Sequence, residues 1–442
     1  MSISDKNANN PFFNNFKLKG EDVSIVNALR RTCLSNIPNY VMKEEDINIT
    51  VNTTRFNNEI LKQRIQCIPV HVLDTKDEEE DDSWEKLQVG RKDETKFGAI
   101  HPKNVTDFDS IIITLDKTNT DNKSVYVTTK DLKIKVAKNS EKGEIVNMEE
   151  VKLDNNSNLA SVVFPEDQTT KKHIVIARLK PPVDGSNGSV GESLQFTAKI
   201  SLGTAKENGS FNVVSTCAYE NVVNDELSKK GFSEQHPNYD EDKDPLLRAN
   251  WDVLDGKREK YCEKNEFNFY IETVGVYSNF LILKKACKIM RDRCRKFIGS
   301  VEGDNTSHVK IIHNKNTTQP LEFCATLYNE DYTLGNPLIH FLFEDFYDKP
   351  EPITIKDKNY KYKMTFVGFK VPHPHIDAGV IRIIYENMGE SEESDEIKET
   401  QEYEEVEALE ANTKSILIKA AGKVILSFEN LEKIFPNSKL SN

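Results

Sequence analysis

The sequence predicts an α+β fold: two pseudo-symmetric modules in one chain, with a β-rich insert domain. Three observations carry this. Ser24-Ile25-Val26-Asn27-Ala28-Leu29-Arg30-Arg31 is echoed about three hundred residues later by Asp331-Tyr332-Thr333-Leu334-Gly335-Asn336, and each phrase sets an Asn two residues before a Leu (Asn27/Leu29, Asn336/Leu338). Each phrase is followed by an extended stretch and then a proline turn, Ile68-Pro69-Val70-His71 or Val371-Pro372-His373-Pro374. Between the two lies a long region of short strand-like runs broken by polar turns. So wide a spacing excludes a solenoid, whose units are short and adjacent, and points to two half-domains that pack together. The expected boundaries are 11–73 with 262–300 for the first module, 86–258 for the insert and 301–442 for the second module.

In the first module, Phe12 to Leu18 reads as a strand. Glu21-Asp22 then opens a helix with Ile25, Val26, Leu29 and Cys33 at helical spacing and Pro38 past its end. Arg30-Arg31 near the helix C-terminus suit its dipole, so a solvated face explains them as readily as a binding role. Ile47 to Val51 alternates as a half-buried strand, and Glu59 to Ile65 is a short amphipathic helix leading into Ile68-Pro69. The like-charge block Asp77–Asp82 cannot pack without repulsion and is expected to be an exposed loop.

Strand signals in the insert are Ile111–Leu115, Val125–Thr128, Ile174–Ala177, Leu194–Ala198 and Phe211–Val214. The chain then returns through the alternating Phe267–Thr273. Ser278 can cap a helix with Ile282, Ala286, Ile289, Met290 and Phe297 in one apolar stripe. Its other side carries Lys284, Lys285, Lys288, Arg291, Arg293, Arg295 and Lys296, a solvated face or a contact surface for nucleic acid or an acidic partner.

The second module begins near Val309, with Leu321 to Leu327 as a strand. Thr333 is the expected N-cap of a helix whose buried face is Leu334, Leu338, Phe341 and Leu342, and Pro337 is tolerable there in a first turn. Tyr362 to Pro372 and Val380 to Tyr385 supply two strands. A flexible acidic link, Glu390 to Glu399, leads to Val406, Leu409, Thr413, Ile416, Ala420, Val424, Phe428 and Leu431, spaced three and four apart over roughly seven turns. A helix that long needs a partner surface.

Composition narrows the function. Of 442 residues, 72 are acidic and 59 basic, a net charge of −13 that argues against a coat for nucleic-acid phosphate and for protein partners. No export signal or membrane-spanning run is evident, so an intracellular protein is expected. Seven cysteines without a Cys-x-x-Cys suggest free thiols and no structural zinc. His373, His375 and Asp377 lack a cluster to complete a metal sphere. No phosphate loop, magnesium motif or nucleophile signature occurs, so neither cofactor nor catalytic group is expected.

The phrases Asn27–Arg31, Gln63–Val70 and Phe267–Gly275 resemble the larger α-like assembly subunit of multisubunit DNA-dependent RNA polymerases. Asn329–Asn336 and Phe366–Pro374 resemble the two signature segments of the smaller one. The resemblance implies α-like dimerisation modules paired within one chain, as in the fused versions known in polymerases of large DNA viruses, with no separate smaller α-like partner required. It also implies a non-catalytic platform that recruits the second-largest and largest polymerase subunits and small accessory subunits, and meets DNA only indirectly, through the complex. A viral chain would act in the host cytoplasm or virion, and a cellular one in the nucleus. The module-pairing residues would be Ile25, Leu29, Ile282, Ile289, Leu334, Leu338, Leu342, Ile416, Ala420 and Val424; the large-subunit contacts would be Arg30, Arg31 and Arg64. Two features depart from the family. The insert has only Cys217, with Cys262 just beyond, so the metal or iron–sulfur cluster of some relatives is not expected. Asn208-Gly209-Ser210-Phe211 also stands where relatives have His-Ala-Lys-Trp. The rival readings are a non-polymerase adaptor and a nucleic-acid binder acting through 284–296.

Overall fold

The computed structural model describes residues 12–71, 110–139, 145–150, 159–167, 170–182, 190–240, 244–303, 308–314, 321–347, 353–354, 361–387 and 395–436. The acidic block Asp77–Asp82, the expected start of the insert at 86 and residues 390–394 of the acidic link lie outside them. In chain order the elements begin β1 (Phe13–Lys19), α1 (Val23–Ser35), β2 (Asn39–Val41), β3 (Ile47–Asn52), α2 (Asn58–Gln66), β4 (Ser110–Thr118), β5 (Val125–Thr128) and β6 (Lys133–Asn139). Next come β7 (Ile145–Glu150), α3 (Leu159–Val163), β8 (Val175–Leu179), β9 (Ser193–Lys199), β10 (Ser201–Gly203), β11 (Val214–Val223), α4 (Asp225–Gln235) and α5 (Pro245–Val253). The chain continues through β12 (Cys262–Thr273), α6 (Asn279–Glu302), β13 (Val309–His313), β14 (Glu322–Tyr328) and α7 (Tyr332–Leu342). It ends with β15 (Ile353–Thr354), β16 (Lys361–Lys370), β17 (Ala378–Asn387) and α8 (Asp395–Ile434).

Two compact units result: residues 1–36, 216–272 and 278–442 form one, and residues 37–215 with 273–277 the other. Residues 37–71 therefore group with the insert strands, and 216–258 with the helical unit, although the sequence reading draws its boundaries at 86 and 258.

In the helical unit the chain takes one path twice. β1 leads into α1 and is paired antiparallel by the returning β12, which feeds α6. β14 leads into α7 and is paired antiparallel by the returning β17, which feeds α8. The first sheet has the order β1-β12-β11 and the second β13-β14-β17-β16-β15. Alternation puts Phe16, Leu18, Phe267 and Phe269 on the buried side of the first, with the Phe16 and Phe269 rings stacked at 5.4 Å. Phe323, Ala325, Leu327, Ile381 and Ile383 do the same in the second. Tyr385 keeps its hydroxyl paired with Thr413 of α8 at 3.0 Å, and burial pushes its phenol up to about 12. Between β11 and β12, α4 and α5 close a small aromatic core of Phe232, Trp251 and Tyr261.

The caps follow from sequence in part. Asp22 accepts from the Ser24 amide at 2.7 Å and Ser278 from that of Leu281 at 3.4 Å. Helix α7 corrects the sequence reading: Asp331, not Thr333, is the N-cap, accepting from the Thr333 amide at 2.9 Å. Pro337 is consequently the sixth helical residue rather than a first-turn one. Its ring nitrogen cannot donate to the Thr333 carbonyl one turn back, and Pro337 and its neighbour Leu338 are buried. Phe341 is only half-buried. Phe211 belongs to a tight turn, Gly209–Phe211, and the strand starts at Val214, because Asn208 caps that turn by accepting from the Ser210 amide. Residues 395–399, read as part of a flexible link, are the first turns of α8.

The second unit is a β structure with strand order β3-β9-β4-β6-β7 and two ribbons, β10-β2 and β5-β8. Its core includes Ile47, Ile113, Leu115, Ile134, Phe196 and Ala198 from the strands and Leu61 from α2.

All seven cysteines are free thiols. Burial pushes Cys294 up to about 12 and holds Cys33 and Cys287 well above the usual thiol range, while Cys67 is exposed. A thiolate-selective reagent at neutral pH should therefore label Cys67 in the folded protein and reach Cys33, Cys287 and Cys294 only after denaturant is added. Rapid native labelling of all four would show that the helices do not close over them.

Candidate functional site

Within the helical unit, α1 packs against both α6 and α7, while α8 lies along α6 and also meets α7. This follows from the apolar stripes. Ile25, Leu29, Ile282, Ile289, Leu334, Leu338, Leu342, Ile416, Ala420 and Val424 are all buried, and the four helices that carry them form one layer. The repeated phrase is legible in space: Leu29 and Leu338 are both fully buried, and Asn27 and Asn336 both line one cleft of about 360 Å³. Val23, Ser24, Tyr219, Ile339, His340 and Phe343 complete its walls.

The start of α7 holds a cluster of charges. Arg31 donates from Nε to the Thr333 hydroxyl and from Nη2 to the Asp331 carboxylate, both at 2.8 Å. Arg293 of α6 binds the Glu330 carboxylate through two nitrogens and lies 3.8 Å from Asp331. Two guanidinium groups from α1 and α6 thus converge on two acids at the positive end of α7, so the carboxylates also suit the helix dipole. Burial would raise the Asp331 pKa; the Thr333 hydroxyl and amide, then Arg31 and Arg293, outweigh it and hold the carboxyl below its usual range. An aspartate more acidic folded than unfolded contributes its full stabilisation above the ordinary range near about 3.9 and loses it as pH falls through the folded value. Stability from this cluster should be flat from neutral pH to about 5 and fall in stronger acid. A double-mutant cycle on Arg293→Ala and Glu330→Ala should give a coupling of about 1–3 kcal/mol, measured by denaturant unfolding at neutral pH. Additive losses would remove the pair from the account.

Behind the cluster, glycines permit close packing. A Cβ on Gly335 would stand 2.6 Å from the Phe369 ring, and one on Gly379 would stand 2.1 Å from its Cζ. Phe369 is therefore clasped between α7 and β17. Asn329 precedes the helix with a φ of 61°, its amide donating to the Asp377 carbonyl at 2.8 Å.

The expected arginines separate. Arg31 is engaged within the chain, as above. In the second unit, Arg64 gives both its bonds to the Ile176 and Val175 carbonyls at 2.8 Å and lies over the Phe56 ring. Arg30 is half-buried, donates to Asn27 Oδ1 at 3.0 Å and makes no ion pair with any described residue. On the basic side of α6, Arg291 meets Glu432 and Glu429 of α8, and Arg295 meets Asp292 and Glu429. With Arg293 also paired, the stretch read as a possible nucleic-acid surface spends three arginines on contacts inside the chain. Sequence reasoning missed Arg293, Glu330 and Phe369 as a group. Their one signal was an acidic pair directly before an apolar helix, an arrangement that attracts cations only once the fold supplies them. His373 Nδ1 accepts from the His375 amide at 3.1 Å, so its ring serves the turn. Among the described residues no three His, Cys, Asp or Glu side chains group so as to hold a metal ion, and no helix is long and apolar enough to cross a membrane.

Strand–helix units joined by a layer of helices, with Arg31, Arg291 and Arg293 paired across that layer, are an arrangement suited to dimerisation. A match to the RNA polymerase Rpb3/Rpb11 dimerisation domain spans residues 15–294, and the chain belongs to that family. It is also similar to the DNA-directed RNA polymerase subunit Rpo3 of Pyrobaculum arsenaticum, with 23% identity over 291 residues, covering 63% of this chain and 88% of the relative.

Proposed function

We propose that this chain is a non-catalytic assembly subunit of a multisubunit DNA-directed RNA polymerase, and that it carries both members of the α-like pair. The observation that supports this best is the path taken twice: strand, helix, returning antiparallel strand, long helix, with α1 between α6 and α7. The family match ends at residue 294, so the second passage, 308–436, reads as the smaller partner joined to the larger. Covalent joining makes their pairing intramolecular and independent of protein concentration. The Arg31 and Arg293 contacts to Asp331 and Glu330 would then fix the register of the pair, while the ten buried residues supply its cohesion.

The assembled platform would recruit the second-largest and largest subunits inside the cell. Arg30, half-buried without an ionic partner among the described residues, is the arginine best placed for a bidentate carboxylate contact with them. Purification of the tagged chain from its native source at moderate salt should recover both large subunits together with RNA synthesis. Arg30→Ala should leave the melting temperature unchanged and reduce that recovery. Full recovery with the variant would shift the contact elsewhere, and purification without large subunits would favour the adaptor alternative.

A further inference from the structure

The two sheets of the helical unit turn unlike outer faces to solvent. On β1-β12-β11 outward polar residues satisfy one another: Lys19 pairs with Glu266 at 2.7 Å, Asn268 and Tyr270 both donate to Glu220, and Thr216 donates to Glu272. On the second sheet such pairs leave part of the face uncovered by any described residue. Its register sets three rows across β13, β14, β17 and β16: Lys310–Thr326–Val380–Lys370, then Ile312–Cys324–Arg382–Gly368, then a row through Glu322, Ile384 and Phe366. Ile312 and Phe366 are each 43% exposed, and Tyr328 at the end of β14 is 38% exposed. The tip of the Phe366 ring leans over Gly368, where a Cβ would stand 2.9 Å away, and Arg382 lies beside the ring at 5.7 Å.

The charges on this face do not cancel as they do on the other. Glu322 is buried and spent: its carboxylate accepts from Arg382 Nη2 at 2.6 Å and from Asn314 at 3.3 Å. At the far end Lys363 stands opposite Glu386 in the register. Lys310 and Lys370 are exposed, make no ion pair with any described residue and stand at the two ends of the first row, next to the row that begins with Ile312. A face that sets two lysines without ionic partners among the described residues beside the exposed Ile312 and Phe366, on a chain of net charge −13, suits an acidic partner that can also bury apolar surface.

We infer that the outer face of β13-β14-β17-β16 docks a different protein, through an apolar segment flanked by acidic residues that sit on Ile312 and Phe366 and face Lys310 and Lys370. This goes beyond the pairing of the two modules and does not depend on it. The face comes from strands that the family match does not reach, and it is built unlike its counterpart at β1-β12-β11.

The test places the photo-cross-linking residue benzoylphenylalanine at Ile312 or at Phe366 of the full chain in its native complex, with Asn268 on the polar sheet as control. Irradiation should join both test positions to one peptide of another protein, apolar with Asp or Glu on its flanks, and leave the control unjoined. Lys310→Glu with Lys370→Glu, two exposed changes, should lower the yield at Ile312 roughly tenfold. The inference is overturned by adducts only within this chain, by adducts to a second copy of it, by nuclease-sensitive adducts to nucleic acid, by no adduct at either test position, or by a yield the lysine changes leave intact. The polymerase reading is judged separately, by whether the unmodified chain brings down the large subunits.

Discussion

Replacing Leu338 with Asp is expected to open the helix layer. Leu338 is fully buried on α7, between Leu334 and Leu342 of the same face. Shortening such a leucine to alanine costs about 2–5 kcal/mol in lost transfer energy and cavity. A carboxylate there must in addition shed its water or take up a proton, which adds several kcal/mol. The sum rivals the whole stability of an ordinary domain, about 5–15 kcal/mol. Hydrogen exchange should show α1, α6, α7 and α8 losing protection together, because all four meet in one layer, and limited proteolysis should find new sites in α7 and α8. Retained protection in α7 and α8 would show that Leu338 does not hold the layer closed.

Adding a single methyl at Gly335 is the second large effect. The new Cβ would meet three ring atoms of Phe369 at 2.6 Å, and that ring cannot retreat past Gly379, where the space is narrower still. Overpacking of this kind costs about 1–3 kcal/mol, and more where neither neighbour can yield. Trimming the ring with Phe369→Leu should relieve it, so the double variant should be more stable than the sum of the single losses predicts. Additive losses in denaturant unfolding would mean that something other than the ring excludes the methyl.

Much of this was legible in the sequence, and the misses have physical causes. Helical spacing found the buried stripes of α1, α6, α7 and α8 because burial on one face writes a period into the chain. The Asn27/Leu29 and Asn336/Leu338 echo marked two helices that do meet. Lateral partners leave no such period. Arg293 and Glu330 lie 37 residues apart, and Arg31 and Asp331 300 apart, so only the fold shows that these charges answer each other. The basic residues of α6 therefore read as an outward surface although three of its arginines pair inward. Likewise Thr333 looked like a cap because threonine is a good one, yet Asp331 two residues earlier wins the position and frees the Thr333 hydroxyl for Arg31. Arg64, expected to reach another subunit, binds strand carbonyls that its local sequence does not reveal.

Central to the account is the proposal that one chain does the work of two paired α-like subunits. Native mass spectrometry of the polymerase purified through this chain tests it most directly. A complex with one copy of the chain, both large subunits and no separate smaller α-like polypeptide is the predicted result. A stoichiometric second α-like subunit, or two copies of this chain pairing with each other, would contradict it.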